Sequence, residues 1–252
     1  MSTTPYVWTR KERGAHLYYD QYDQRWVYAF GTNVTQYINN GELWDADSWH
    51  RIVWDKVHGQ ESVQADPIVD ALFADAPDPY ISVNNTAGGE IEITTSNADD
   101  DFIQLQLKGE AFSVETTYPV YFAIRCKLSE ATQMEFMAGL CKTCEDVFTE
   151  LTDGVYFEKV DGTTDLDFVT EQDITETTSA TALATMDTSY HVYELHCDGA
   201  GNVTPYVDGT EYTVHTENVP TDEPLTPTIA IKNGSGTART LTVDWIRAIQ
   251  VR

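Results

Sequence analysis

The stretch that decides the fold runs Tyr190-His-Val-Tyr-Glu-Leu-His-Cys197, then Asp198-Gly-Ala-Gly-Asn202, Val203-Thr-Pro-Tyr-Val-Asp-Gly209 and Tyr212-Thr-Val-His215. Apolar residues alternate with polar ones around two Asp-Gly turns. Because Gly and Asp accept the positive φ angles that tight hairpin turns require, this pattern predicts antiparallel strands. We interpret the stretch as a meander within a large all-β fold.

Similar strand patterns fill the chain from Glu90 onward. Ile103, Leu105 and Leu107 alternate with glutamines, which predicts one buried face and one solvated face. Residues 171–187 are rich in Thr, Ser and acidic groups and predict either a long solvated connection or a weak edge strand around residues 182–184. Short strands without helical crossovers predict an antiparallel β-sandwich.

The first 70 residues are unusually aromatic. Asp47 and Ser48 could cap a short amphipathic helix with Trp49, Ile52, Val53 and Val57 on one face. Packing of this helix over an open end of the sandwich is one interpretation, and a docking element is the other, because Trp and Tyr dominate interface hot spots. The candidate docking residues are Trp8, Tyr18, Tyr19, Trp26, Trp44, Trp49 and Trp54.

Composition excludes several classes of protein. The 252 residues include 41 acidic and 15 basic side chains, for a formal net charge of -26. Such a surface repels nucleic acid, whose binding requires clusters of Lys and Arg. No stretch approaches the length of an apolar membrane span. No apolar run follows Met1, so we expect no signal peptide and synthesis in a cytoplasm.

Several fragments are ordered as in a known family. They are Gly-Gly-Glu-Ile-Glu-Ile-Thr-Thr at 88–95, Asp-Gly-Val-Tyr-Phe at 153–157, Leu-Thr-Val-Asp-Trp-Ile-Arg at 241–247, and segments at 99–112, 128–133 and 137–140. In this order they resemble bacteriophage virion proteins, head decoration or minor structural proteins, with a concanavalin-A-like (LamG-like) jelly roll. The resemblance implies a jelly-roll sandwich over residues 16–252 that follows an N-terminal arm, residues 1–15. It also implies an aromatic, partly helical insertion at about 31–75.

The sequence contains no run of acidic residues with the pattern of catalytic carboxylates. A retaining glycanase on such a sandwich needs two neighbouring carboxylates, often in a Glu-x-Asp-x-x-Glu run, and no such run occurs. Glu90 with Glu92 and Asp165 with Asp167 each share a strand face, which is more typical of the solvated side of a strand. We therefore expect no enzymatic activity and no cofactor.

Metal and thiol chemistry are also weakly indicated. The acidic segments at 99–101 and 161–167 could hold calcium but lack the twelve-residue loop pattern. His191 and His196 lie five residues apart on a strand and therefore face opposite sides. The cysteines are expected to be buried thiols rather than zinc ligands, with a redox pair at Cys141 and Cys144 as a further alternative.

These observations predict a non-enzymatic virion structural protein, a decoration or cement protein docked on a phage head. The resemblance implies the major capsid protein or other virion proteins as partners, and a homo-oligomer. It also implies that the protein is made in a host bacterial cytoplasm and resides in the virion. The alternative is a carbohydrate-binding adhesin of the phage tail or a lectin-like module, in which aromatic side chains stack on sugar rings. A glycanase with an unrecognised acid pair is a third hypothesis.

Overall fold

The fold is described from a computed structural model. It covers the strands at 10–12, 15–20, 25–30, 34–38, 49–55, 60–65 and 80–84, and residues 90–251 apart from 108, 115, 116 and 118. Within this part of the chain, twenty-one strands, numbered β1 to β21, pair in antiparallel fashion in three sheets. The same residues contain no helix of the length and apolarity that a membrane crossing requires.

The largest sheet has ten strands. Its central order is β15-β14-β13-β12-β20-β9-β5-β6, while β10 pairs with β20 and β16 pairs with β14. The strands are β5 (Trp49–Asp55), β6 (Gln60–Ala65), β9 (Phe102–Leu107), β10 (Phe112–Ser113), β12 (Met134–Cys141), β13 (Gly154–Lys159), β14 (Asp165–Gln172), β15 (Thr175–Thr178), β16 (Ala184–Thr185) and β20 (Pro224–Asn233).

The second sheet has eight strands in the order β19-β18-β17-β11-β21-β8-β7, with β4 paired to β21. They are β4 (Val34–Ile38), β7 (Tyr80–Asn84), β8 (Glu90–Thr94), β11 (Val120–Leu128), β17 (His191–Cys197), β18 (Val203–Val207), β19 (Thr210–Glu211) and β21 (Thr240–Val251). A separate three-stranded sheet contains β1 (Arg10–Glu12), β2 (Ala15–Asp20) and β3 (Arg25–Phe30).

One apolar core lies between the two large sheets. Phe122 and Ile124 enter it from the eight-stranded sheet, and Phe136 and Phe157 enter it from the ten-stranded sheet. All four side chains are fully buried, as expected for strands whose alternate residues face a second sheet. The predicted all-β sandwich is confirmed.

The hairpin from Tyr190 to His215 forms as predicted. Tyr193, Leu195 and Cys197 of β17 are buried, and His196 is exposed. Asp208 and Gly209 adopt φ angles of 49° and 76°, the two positive values of a tight hairpin turn between β18 and β19.

Residues 49–55 differ from expectation. They form strand β5, paired with β6 and β9, rather than the predicted short helix. Trp49, Ile52 and Val53 suit a strand as well as a helix, and the long-range pairing with two neighbouring strands prevails over local spacing. The strands β4, β5 and β6 fall inside the predicted 31–75 insertion and belong to the two large sheets. β4 pairs with β21, the last strand of the chain. β2 instead pairs with β1 and β3 in the three-stranded sheet.

Candidate functional site

The candidate site lies on the outward face of the ten-stranded sheet, called here the outer face. On β12 the residues Phe136, Ala138 and Leu140 enter the core, so Glu135 and Met137 point the opposite way. On β13 the outward positions are Gly154, Tyr156 and Glu158 by the same alternation. Strand register then places one row of outward residues directly across the sheet: Asp167, Glu158, Met137, Ala230 and Gln104.

Residues 142–153, called here the covering loop, pack over part of this face. Gln104 donates to the Cys144 carbonyl at 2.7 Å and accepts from the Val147 amide at 3.0 Å. Gln106 donates to the Lys142 carbonyl at 3.1 Å. Val147 and Leu151 of the loop join a second apolar cluster whose sheet residues are Met137, Cys141, Tyr156, Val169 and Ala230. Buried glutamines therefore satisfy the backbone of the loop, and apolar contacts fix its position.

Acidic side chains surround this covered centre. Glu158 lies directly opposite Asp167 across β13 and β14, and Glu171 lies opposite Glu176 across β14 and β15. Directly opposite residues on one sheet face have Cβ atoms about 5 Å apart. Glu135 occupies the neighbouring strand and forms an ion pair with Lys232 at 2.7 Å.

These groups raise one another's proton affinity. Burial raises the pKa of Glu158 to about 7, and the nearby carboxylates Glu176, Glu135, Asp167 and Glu171 add to the effect. Burial also raises the pKa of Glu171 to about 7, although Tyr156 donates a hydrogen bond to it at 3.1 Å. Burial and the surrounding like charge therefore both favour the protonated form of Glu158.

Asp167 has a different setting. It accepts a hydrogen bond from the Ser179 hydroxyl at 3.1 Å. Two carboxyl groups with different environments on facing strands can divide the work of acid and nucleophile. A separation of about 5 to 5.5 Å between the carboxyl groups is the spacing of retaining glycoside hydrolases. Strand register places Glu158 and Asp167 opposite each other on the outer face, which is compatible with such a spacing.

The pairing of Glu158 with Asp167 is not visible along any one strand of the sequence. Glu158 and Asp167 come from different strands, and a search along one strand finds a single carboxylate on β13. The Asp161-Gly162 turn between the strands, with φ of 80° at Gly162, is the signal that could have joined them. Asp165, the other residue considered on β14, is exposed at its end.

The remaining predicted groups do not assemble a site among the described residues. No cluster of three or more His, Cys, Asp or Glu side chains there could hold a metal ion. All four cysteines are free. Burial raises the pKa of Cys144 to about 12 and that of Cys141 well above its usual range, which disfavours the reactive thiolate. His191 lies between Asp187 and Asp208, at 3.1 and 2.7 Å, and His196 lies on the opposite face of β17.

The candidate docking residues fall in the first part of the chain. Tyr18 and Tyr19 lie on β2, Trp26 on β3, and Trp49 and Trp54 on β5. Trp8 and Trp44 lie outside the described residues, as do the side chains of the other five. Their role in docking stays a prediction.

Comparisons with known proteins identify the fold. An endo-1,3-β-glucanase from Streptomyces sioyaensis matches with a TM-score of 0.51 at 11% identity, over 67% of this chain and 78% of that one. A Bacteroides ovatus GH16 protein of a mixed-linkage glucan PUL, in complex with a G4G4G3G product, matches with a TM-score of 0.57 at 12% identity, over 84% of this chain and 99% of that one. The Bacillus licheniformis β-glucanase matches with a TM-score of 0.55 at 15% identity, over 86% and 98%. No family model and no curated protein matches the sequence.

The chain therefore has a concanavalin-A-like jelly-roll fold, as the sequence predicted. The prediction of a non-enzymatic capsid decoration protein is wrong by the same finding, because structures that share this fold over most of the chain are glucanases. At this identity the likeness establishes the fold alone, and a function has to be argued from the residues of this chain.

Proposed function

We propose that the chain is a carbohydrate-active protein that cleaves a glycan with Glu158 and Asp167. The observation that carries the proposal is the direct pairing of these two residues across β13 and β14, with the pKa of Glu158 raised to about 7. Glu158 would protonate the oxygen of the departing sugar, and Asp167 would attack the anomeric carbon to form a glycosyl ester. Water, deprotonated by Glu158, would then release the sugar from Asp167 and restore both groups. The glucanase activity of the similar structures supports a glycan as substrate.

A second candidate function is glycan binding without cleavage, as in a lectin-like module or tail adhesin. It is favoured by the other outward residues of β13, which are Gly154 and Tyr156 rather than further carboxylates. The covering loop also buries Tyr156 to 2% exposure, which limits the open length of the outer face. Residence in a virion and assembly as a homo-oligomer stay predictions and are not needed by either candidate.

One experiment separates the two candidates. Purified protein is assayed for new reducing ends on β-1,3-glucan and mixed-linkage β-1,3-1,4-glucan, and for retardation in gels that contain each polysaccharide. Glu158→Gln and Asp167→Asn are compared with Glu211→Gln, which removes an exposed carboxyl on β19 of the other sheet.

We expect the two site variants to lose about 100-fold or more of the activity, and the control to retain it. Retardation without hydrolysis would select the binding candidate. Hydrolysis that survives in both site variants would overturn the assignment of this pair. The absence of both retardation and hydrolysis on the two glucans would contradict both candidates for these substrates.

A further inference from the structure

A pocket lies at the edge of the sandwich, next to the Asp167 end of the row of outward residues. Its volume is about 270 Å³, and its two walls are residues 177–181, at the end of β15, and residues 212–217, after β19. Each wall continues from a different sheet, so the pocket opens where the edges of the two sheets meet.

Its lining combines the apolar side chains of Ala180, Leu183 and Val214 with six aliphatic hydroxyl groups. The hydroxyl groups belong to Thr177, Thr178, Ser179, Thr181, Thr213 and Thr216. Tyr212 adds a partly buried aromatic ring that packs against the main core, and Glu217 adds one carboxylate. No Lys or Arg is among the described residues that line the pocket.

Side-chain hydrogen bonds hold the two walls together. Asn218 donates to the Thr177 hydroxyl at 2.8 Å, which ties the second wall to the first. Thr170 donates from below to the Glu217 carbonyl at 2.8 Å, and its oxygen lies 3.3 Å from His215 Nδ1. The His215 ring is buried edge-on against Phe168, with centroids 5.0 Å apart. The pocket is therefore formed before any ligand binds, which reduces the entropy cost of binding.

The chemistry of the walls selects among ligand classes. An anion such as phosphate requires a cationic partner, and burial lowers the pKa of His215, so this ring is neutral at pH 7. A divalent cation requires several oxygen ligands with more than one charge, and Glu217 is the only carboxylate in the described lining. The hydroxyl groups of Thr177 and Ser179 already have partners within the protein, and a wholly apolar ligand would offer none to the other hydroxyl groups of the lining. A neutral polyhydroxyl ring satisfies both the hydroxyl groups and the aromatic face.

We propose that this edge pocket binds one neutral sugar ring, stacked on Tyr212, with a sugar hydroxyl donating to Glu217. Ser179 lines the pocket and also donates to Asp167 at 3.1 Å, so the sugar would sit beside the carboxyl pair. The pocket would hold the end or a branch of a glycan that also reaches the outer face. Binding here depends on the residues of the pocket alone and does not require cleavage by Glu158.

The test uses the full chain and saturation-transfer NMR with D-glucose, D-galactose, D-mannose and N-acetylglucosamine as separate probes. Tyr212→Ala and Glu217→Gln are compared with Tyr206→Ala, which removes a half-exposed tyrosine on β18 outside the pocket. We expect at least one sugar to bind, with an affinity that falls about three- to tenfold in Tyr212→Ala, the effect of losing one ring contact. Glu217→Gln should weaken binding without affecting the fold, and Tyr206→Ala should bind as the unchanged protein does.

Two outcomes would overturn the proposal. One is the absence of saturation transfer to all four sugars, and the other is binding that both pocket variants leave unchanged. Glu158→Gln separates this proposal from the proposed function, because it should abolish hydrolysis and leave binding of the single sugar intact.

Discussion

Replacement of Glu158 by Gln should stabilise the fold at alkaline pH while it removes the proposed acid. The pKa of Glu158 rises from its ordinary value of 4.5 to about 7 in the folded protein. The folded protein therefore holds a proton that the unfolded chain has already released. Because of this difference, the free energy of unfolding falls as pH rises from about 4.5 through about 7. Gln cannot ionise and is free of this loss.

The size of the effect follows from the pKa change. Each pKa unit is worth about 1.4 kcal/mol, so a rise from 4.5 to about 7 corresponds to about 3 kcal/mol as an upper limit. Glu158 keeps part of its surface in water, where solvent screens the neighbouring charges. We therefore expect Glu158→Gln to exceed the unchanged protein by about 2 kcal/mol at pH near 8, and by little at pH near 4.5.

Urea unfolding at the two pH values measures this difference directly. Many carboxyl groups titrate in this acidic chain, so the comparison between the two proteins matters rather than either curve alone. Glu211→Gln serves as the control and should follow the unchanged protein at both pH values. If Glu158→Gln and the unchanged protein lose stability in parallel, Glu158 ionises as an exposed carboxyl does, and its role as acid fails with it.

Three further predictions concern the packing of a glycine, the contacts of His191 with two carboxylates, and the thiols. Gly139→Ala should destabilise the fold by about 1 to 3 kcal/mol in urea unfolding, because its Cβ would lie 2.2 Å from the Val155 carbonyl oxygen, whereas Gly236→Ala has room at 3.6 Å and should cost little. Hydrogen bonds to Asp208 and Asp187 raise the pKa of His191 despite its partial burial. The contacts of protonated His191 with these two carboxylates therefore stabilise the protein below pH of about 6.5 and weaken as pH rises through the folded pKa. His191→Gln should therefore cost up to about 1 kcal/mol at pH near 5.5 and less at pH near 9; an equal cost at both would contradict the charge argument. A maleimide at neutral pH should label the buried cysteines Cys126, Cys141 and Cys197 only after unfolding, and labelling of any of the three in the folded protein, detected by mass spectrometry, would contradict their burial.

The fold was predictable where the determining signals are local. The hairpin between β18 and β19 depends on Asp208 and Gly209, whose positive φ angles a tight turn requires whatever surrounds it. The alternation along β17 likewise reports a single buried face, since Tyr193, Leu195 and Cys197 all enter the core. Such patterns specify register within a few residues of where they are read.

Long-range pairing was not predictable in the same way. Trp49, Ile52 and Val53 fit a helical face, and only the neighbouring strands β6 and β9 make the segment a strand. The pairing of Glu158 with Asp167 also depends on neighbouring strands, because each residue on its own strand has the pattern of an ordinary solvated carboxylate. The site is created by register between strands, and a single sequence does not encode register at that distance in a readable form.

The acidic composition affects both the whole surface of the protein and the pKa of a single carboxyl group on the outer face. A net charge of -26 indicates a surface that repels like particles, which is a statement about solubility. On the outer face the same excess of carboxylates acts over a few ångströms: Glu176, Glu135, Asp167 and Glu171 each favour the protonated form of Glu158, in addition to the larger effect of burial. A carboxyl group retains a proton near neutral pH when it is both withdrawn from water and surrounded by like charge. Abundant surface acid and a sheet face that buries some of it therefore suffice to raise the pKa of a carboxyl group toward neutral pH, without any Glu-x-Asp motif along one strand.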